Sequence, residues 1–370
     1  MENTENQPQK APSRINSIDA VRATALLLIT FTHSVLGFWS GATGQCQSLA
    51  DKACCLLRAF GTSDVGFGMF SFLFGLSFFL QLDHAAQKGI DFRGRFCWRL
   101  VLLVGFAVLD RLCYRGDILT LFAIMGFVLV LLWKVKTRPL VAICAVCVLQ
   151  LVPFLCHFSD LPALADIFTR PVPPNPQSAG WADIACWNIS YGFVDYFIVY
   201  ATSGRYWAVA GFFIMGMLAG RIRIFERGRK AVGKIIIPVL LAWIACLLLE
   251  HYIHVGRVFH WWRCTAQVAL YVSVLACFYE LPFISKRLEC LRAIGRCTLT
   301  GYISQNAVMC ALLYGWGLGL STSLTITQRV LLGLGVYAVQ MVVFTIWMRH
   351  FKYGPLEGVW RKLTRLGMKR

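Results

Sequence analysis

Ten times along the chain a long, mostly apolar run gives way to a short connection rich in Lys, Arg or turn-forming residues. A helix needs about twenty such residues to cross the hydrocarbon core of a bilayer, and only a helix or a closed barrel satisfies its backbone there. The runs are Ala20 to Phe38, Val65 to Leu82, Phe96 to Cys113, Ile118 to Trp133, Leu140 to Phe158, Tyr206 to Gly220, Ile235 to Glu250, Thr265 to Phe283, Leu299 to Leu318 and Val330 to Met348. Composition agrees: 58% of the residues are hydrophobic and 15% charged, against about a quarter charged in a soluble domain. A water-soluble fold could not hide that much apolar surface. The expectation is an all-α polytopic membrane bundle of about ten transmembrane helices.

Charge sets the orientation. The formal net charge is +18, which on a soluble domain would suggest a polyanionic partner. Here the basic residues cluster between apolar runs, as in loops facing anionic lipid, and no nucleic-acid motif accompanies them. Membrane lipid, not nucleic acid, is the expected partner. With the N-terminus inside, 26 Lys and Arg fall in inner segments and 9 in outer ones, with Arg22 inside the first run. Cytoplasmic loops carry the excess, so both ends are expected inside a cell inner (cytoplasmic) membrane.

Residues 1–13 read as a disordered inner tail, 14–350 as one membrane domain and 351–370 as a basic inner tail. No cleavable signal peptide is expected, because the first apolar run is long enough to remain as an anchor. An outer loop, 159–204, contains the proline-rich stretch Pro171 to Pro176 and the apolar stretch Ile184 to Tyr200. If the latter crossed, the basic residues from Arg221 to Lys234 would lie outside, so it reads as interfacial or re-entrant. No internal repeat is evident, and a homodimer stays open.

Fifteen cysteines are scattered along the chain, many inside apolar runs, where Cys acts as a small hydrophobe. No pair has zinc-ligand spacing with a His partner, so no metal is expected. Cys46, Cys54, Cys55, Cys186 and Cys264 fall on the outer side, which leaves a disulfide there open.

Ionisable residues within a span are expensive and mark candidate sites. The first run carries Asp19 and Arg22 near its inner end and His33 beyond the midplane. Three helical turns separate Arg22 from His33, so both lie on one face. Imidazole suits a general base; a buried, hydrogen-bonded histidine fits as well. Asp19 and Arg22, three apart, also fit a plain intrahelical ion pair.

The ordered elements Arg14, Ile18-Asp19, Arg22-Ala23 and His33 resemble the opening signature of the transmembrane acyltransferase superfamily. Phe72-Leu73-Phe74-Gly75, Gly116-Asp117-Ile118-Leu119, Gly295-Arg296 with Leu299-Thr300-Gly301-Tyr302 and Gln305, and Tyr353-Gly354-Pro355-Leu356-Glu357 with Trp360-Arg361 narrow the resemblance to the YeiB-like family within it. Two residues depart from the pattern. Ala23 stands where Gly often follows the Arg, and His33 stands where YeiB-like relatives often have Asn.

The resemblance implies transfer of an acyl group, commonly acetyl, from cytoplasmic acyl-coenzyme A to an unknown acceptor at the outer face, such as an envelope glycan or small molecule. It implies His33, Asp19 and Arg22 as catalytic, and Arg14, Asp117, Gln305, Glu357 and Arg361 as substrate-binding; Asp64 joins the substrate-binding set by its place at an outer helix end. The polar residues Asp64, Asp110, Asp117, Glu250, His251 and His254 fall at outer helix ends. Arg14, Arg22, Arg93, Arg95, Arg99, Arg296 and Arg361 fall inside, where guanidinium groups suit phosphates. Structural accounts stand beside these roles: Gly75 for helix contact, Asp117 as an N-cap, Gln305 as polar glue and Trp360-Arg361 as an interfacial anchor. A solute transporter and a non-catalytic membrane component are the competing readings.

Overall fold

A computed structural model of the chain describes residues 16–38, 48–62, 64–155, 172–252, 258–285 and 288–366. Arg14, Cys46 and His254 lie outside the described residues. Among the described residues every regular element is helical. In chain order the helices are α1 (Asn16–Leu36), α2 (Leu49–Leu57), α3 (Val65–Ala86), α4 (Arg93–Arg111), α5 (Leu119–Leu132), α6 (Thr137–Val148), α7 (Leu151–Leu155), α8 (Trp181–Ser190) and α9 (Gly192–Thr202). They continue with α10 (Arg205–Arg221), α11 (Arg229–Tyr252), α12 (Val258–Tyr279), α13 (Pro282–Ser285), α14 (Glu289–Arg296), α15 (Thr298–Leu313), α16 (Ile326–His350) and α17 (Pro355–Leu366). Each of the ten apolar runs overlaps a helix or pair of helices among the described residues, the ninth being helical only as far as Leu313.

Local chemistry fixes several ends. Thr325 and Gln328 form a capping box at the start of α16, and Ser48 with Asp51 form another at α2, each satisfying otherwise orphaned amides. The fifth run is interrupted: α6 stops where Gln150 takes a left-handed conformation, φ 55°, and α7 begins beyond it. The apolar stretch Ile184 to Tyr200 forms two short helices, α8 and α9, of 10 and 11 residues. Neither is long enough to cross a bilayer by itself.

Burial distinguishes an interior from a lipid-facing shell. α1 packs against α3, α12, α14 and α16, and Ala20, Ala23, Ala25 and Leu26 are wholly enclosed. α3 and α10 cross where glycines remove side chains from both surfaces. A Cβ on Gly75 would overlap the carbonyl of Phe213, and one on Gly216 would overlap that of Phe72. The Phe-Leu-Phe-Gly element is therefore at least a close helix contact of the kind small residues permit.

α11 is the opposite case. It has a mean hydropathy of 2.5, yet only 6% of its apolar window is buried in the protein. Ile237, Leu241 and Leu248 project from it, and Leu331, Val339 and Val342 project from α16. Continuous apolar surface on this scale is not compatible with water. Among the described residues four segments meet both length and hydropathy for a crossing: α1, the stretch from α2 through α3, α11 and α16. α5 and α6 are shorter apolar helices. The molecule is a helical membrane bundle.

Candidate functional site

The polar groups inside this apolar bundle lie in two layers. The first begins on the opening turns of α1. Asp19 is buried, and Arg22 Nη1 donates to its Oδ1 at 2.9 Å, as an i, i+3 pair allows. Arg22 Nη2 reaches across to the Ser77 hydroxyl on α3. One turn further along α3, Gln81 donates to the Ser77 carbonyl at 2.9 Å and accepts from Arg99 Nη1 on α4. The Arg99 guanidinium lies 4.4 Å over the Trp360 ring of α17, and Trp360 Nε1 donates to the Arg99 carbonyl at 3.0 Å. Arg361, the next residue, donates to the Tyr353 hydroxyl at 3.0 Å and stacks on that ring.

Thus Asp19, Arg22 and Arg99 form one connected tract, with Ser77 and Gln81 as links and Trp360 at its end; Arg361 follows Trp360 in sequence and is held on Tyr353. Other arginines expected at the inner side are engaged elsewhere. Arg93 binds the exposed carboxylate of Asp91 at 2.6 Å and thereby lowers its pKa to about 2. Arg296 donates to the Lys352 carbonyl at 2.8 Å. Arg93 and Lys134 also line an open groove of about 670 Å³.

Glu357 joins the last motif to α15. Its Oε1 accepts the amides of Leu299 and Thr300 at 2.7 and 3.1 Å, and its Oε2 accepts the Thr300 hydroxyl at 2.6 Å. The carboxylate thus occupies the positive end of α15. Burial raises its pKa, against those hydrogen bonds.

The second layer gathers at the other end of α1. His33 Nδ1 lies 3.4 Å from the Tyr114 hydroxyl, their rings 5.7 Å apart. Asp110 is buried and accepts both of its hydrogen bonds from Asn306 Nδ2, at 3.0 and 3.1 Å. Asp117, wholly enclosed, caps α5 by accepting the amides of Leu119 and Thr120 at 2.8 and 3.1 Å. It also faces Arg111 Nε at 3.4 Å. Arg111 and Asn188 of α8 exchange hydrogen bonds through their side chains and carbonyls. Arg111, Asp117, Thr120 and aromatic residues of α9 and α10 line a narrow cleft of about 240 Å³. Gln305, adjacent to Asn306, donates to the Thr30 hydroxyl one turn before His33.

A second group of charged residues gathers around Arg205, at the start of α10. Arg205 pairs with Asp64 Oδ1, and Asp64 Oδ2 meets His260 Nε2 at 3.1 Å. Glu250 Oε2 pairs with Arg263, and its Oε1 lies 3.5 Å from His260 Nδ1. Of the acidic and His residues expected at outer ends, Asp64 and Glu250 therefore meet through His260, and Asp110 lies near Asp117. His251 does not join: it is exposed and sits edge-on to Tyr252.

Sequence reasoning missed Arg205, His260, Tyr114 and Asn306. His260, Arg263 and Cys264 had a legible signal, since positions i, i+3 and i+4 share a helix face. Arg205 and Tyr114 had none, because their partners come from other helices.

The fold defines a helical membrane protein with polar groups near each end of α1. Residues 219–367 match the family described as "Protein of unknown function (DUF418)". The chain is 28% identical to the "Uncharacterized protein YxaH" of Bacillus subtilis (strain 168), over 97% of this chain and 96% of that protein. It is 26% identical to the "Uncharacterized 39.9 kDa protein in amylase 3'region" of Bacillus acidopullulyticus, over 96% and 95% of the two chains. It is 29% identical to the "Uncharacterized protein YeiB" of Escherichia coli (strain K12), across 25% of this chain and 24% of that one. Together these likenesses bear out the YeiB-like resemblance, with the DUF418 pattern in the C-terminal part.

Proposed function

We propose that the chain is a membrane acyltransferase that moves an acyl group, such as acetyl, from cytoplasmic acyl-coenzyme A to an acceptor at the outer face. It would sit in the cytoplasmic membrane with ten crossings and both ends inside, as the Lys/Arg asymmetry supports. The observation that carries the reading is the two-ended polarity of α1. Its Asp19 and Arg22 end is tied through Ser77 and Gln81 to Arg99, whereas its His33 end meets Tyr114.

In this reading the inner guanidinium groups hold the phosphates of the donor, which Arg does well through paired donors. His33 takes the proton from an acceptor hydroxyl or amine as that oxygen or nitrogen attacks the thioester carbonyl. The proton then leaves with the coenzyme A thiol, so the imidazole is regenerated. Tyr114 orients the imidazole from Nδ1. Placing the acyl carbon against this base supplies the proximity that makes the step fast.

The test is acetyl-coenzyme A binding by the purified full-length protein in nanodiscs, followed by acyl transfer with membrane extracts as acceptor. Binding should weaken roughly tenfold or more in Arg99→Gln and Arg361→Gln, since each charged hydrogen bond contributes about 1.5–3 kcal/mol. His33→Ala should bind the donor and lose transfer. Absence of donor binding, or full transfer by His33→Ala, overturns the proposal.

A further inference from the structure

We infer that Asp64, His260 and Cys264 form a binding site for one divalent transition metal ion of the zinc type. His260 and Cys264 are four apart on α12 and therefore share a face. Asp64 comes from the turn before α3, where it adopts a left-handed conformation, φ 57°. One donor atom from each of the three residues lies within 4.8 Å of the others.

The two separations from His260 are close to a metal's coordination edges. His260 Nε2 is 3.1 Å from Asp64 Oδ2 and 3.5 Å from Cys264 Sγ. With zinc bonds of about 2.0–2.2 Å to N or O and about 2.3 Å to S, two ligand atoms in a tetrahedral shell lie roughly 3.2–3.7 Å apart. A thiolate, an imidazole and a carboxylate together select zinc and its neighbours over magnesium or calcium, which take oxygen ligands.

The surroundings fit a built site. Metal-bound histidines commonly give their other ring nitrogen to a carboxylate, and Glu250 Oε1 lies 3.5 Å from His260 Nδ1. Arg263 Nη2 also lies 3.2 Å from that nitrogen, so the ring can exchange an Arg263 contact for Glu250 when its Nε2 lone pair turns to a metal. Each carboxylate uses one oxygen for an arginine, Asp64 for Arg205 and Glu250 for Arg263, and directs the other at His260. Cys264 is fully enclosed, whereas the Asp64 and His260 side chains are 21% and 26% exposed, which gives an ion an entry.

Binding would release the Cys264 thiol proton to solvent and leave the sulfur as thiolate. Three protein ligands leave the fourth position for water or a substrate atom, the arrangement of a reactive site more than of a closed structural one. The inference does not depend on acyl transfer.

The full-length protein in detergent, stripped with a chelator, should bind one equivalent of Zn²⁺ or Co²⁺. The Co²⁺ form should show thiolate-to-cobalt charge transfer, absent in the near-isosteric Cys264→Ser. His260→Ala should abolish binding, and Glu250→Gln should weaken it about tenfold or more. X-ray absorption at the zinc edge needs no variant and should show one sulfur neighbour at about 2.3 Å. No bound metal, a shell without sulfur, or a charge-transfer band that survives Cys264→Ser would make the cluster an ion-pair latch and overturn the inference.

Discussion

Gly295 lies directly against the backbone carbonyl of Asp19, so close that a Cβ at position 295 would overlap the oxygen. The two residues belong to motifs at opposite ends of the sequence, and the contact lets α14 rest on the first turn of α1. The overlapping atom is backbone, which cannot swing aside as a side-chain tip could. Gly295→Ala should destabilise the protein by about 1–3 kcal/mol, the range for overpacking. Gly335→Ala, where nothing lies within 4 Å, should be neutral or slightly stabilising, since Ala favours a helix over Gly. Thermal unfolding in detergent compares them, and equal melting temperatures would remove the packing role given to Gly295.

The α3 and α10 crossing makes a related prediction. Gly75 faces the Phe213 carbonyl and Gly216 faces the Phe72 carbonyl, so each glycine opens room for the other helix. Because the two sites share one interface, their effects should not add. Either alanine variant alone should force the helices apart, and the double variant should cost little more than the worse single one. A double-mutant cycle measures this; strictly additive losses would mean that the contacts are independent.

Asp117 carries two roles that separate by substitution. It caps α5 and it faces the buried Arg111. Asp117→Asn keeps an acceptor for the cap and removes the charge; Asp117→Ala removes both. Stranding a buried guanidinium costs about 3–5 kcal/mol, and losing a cap about 1 kcal/mol. Asp117→Asn should therefore account for most of the loss seen in Asp117→Ala. A small effect of Asn beside a large effect of Ala would make the cap dominant.

The helices were legible because apolar runs of membrane-crossing length are a strong local signal, and the breaks at Gln150 and between Ser190 and Gly192 alter lengths and not helix type. The interior was less legible. The Arg22 and Asp19 pair follows from i, i+3 spacing, and the Asp117 cap from its position before a helix. Arg205 meeting Asp64, or Gln81 receiving Arg99, depends on which helix faces fall together, and the sequence of one helix does not specify its neighbour's rotation. Cys264 illustrates this: its i, i+4 spacing from His260 is legible on one helix, but the approach of Asp64 from the turn before α3 is not.

Glu357 gives the pH prediction. Burial holds its pKa above the ordinary carboxylate value while it caps α15 from α17. The folded state thus binds this proton more tightly than the unfolded one. Its favourable contribution is complete below the unfolded pKa of about 4.3 and is lost as pH rises through the raised folded value. Acidification from neutral toward about pH 4.3 should therefore tighten the docking of α17 on α15. Glu357→Gln keeps an oxygen facing the Leu299 and Thr300 amides but cannot titrate, so its docking should not follow this dependence. Hydrogen exchange of residues 355–366, measured from pH 7 downward and corrected for intrinsic rates, reads the difference. Identical pH profiles in the two proteins would show that the carboxyl is not the titrating group, whereas a dependence confined to the unmutated chain ties the docking of α17 to a single buried proton.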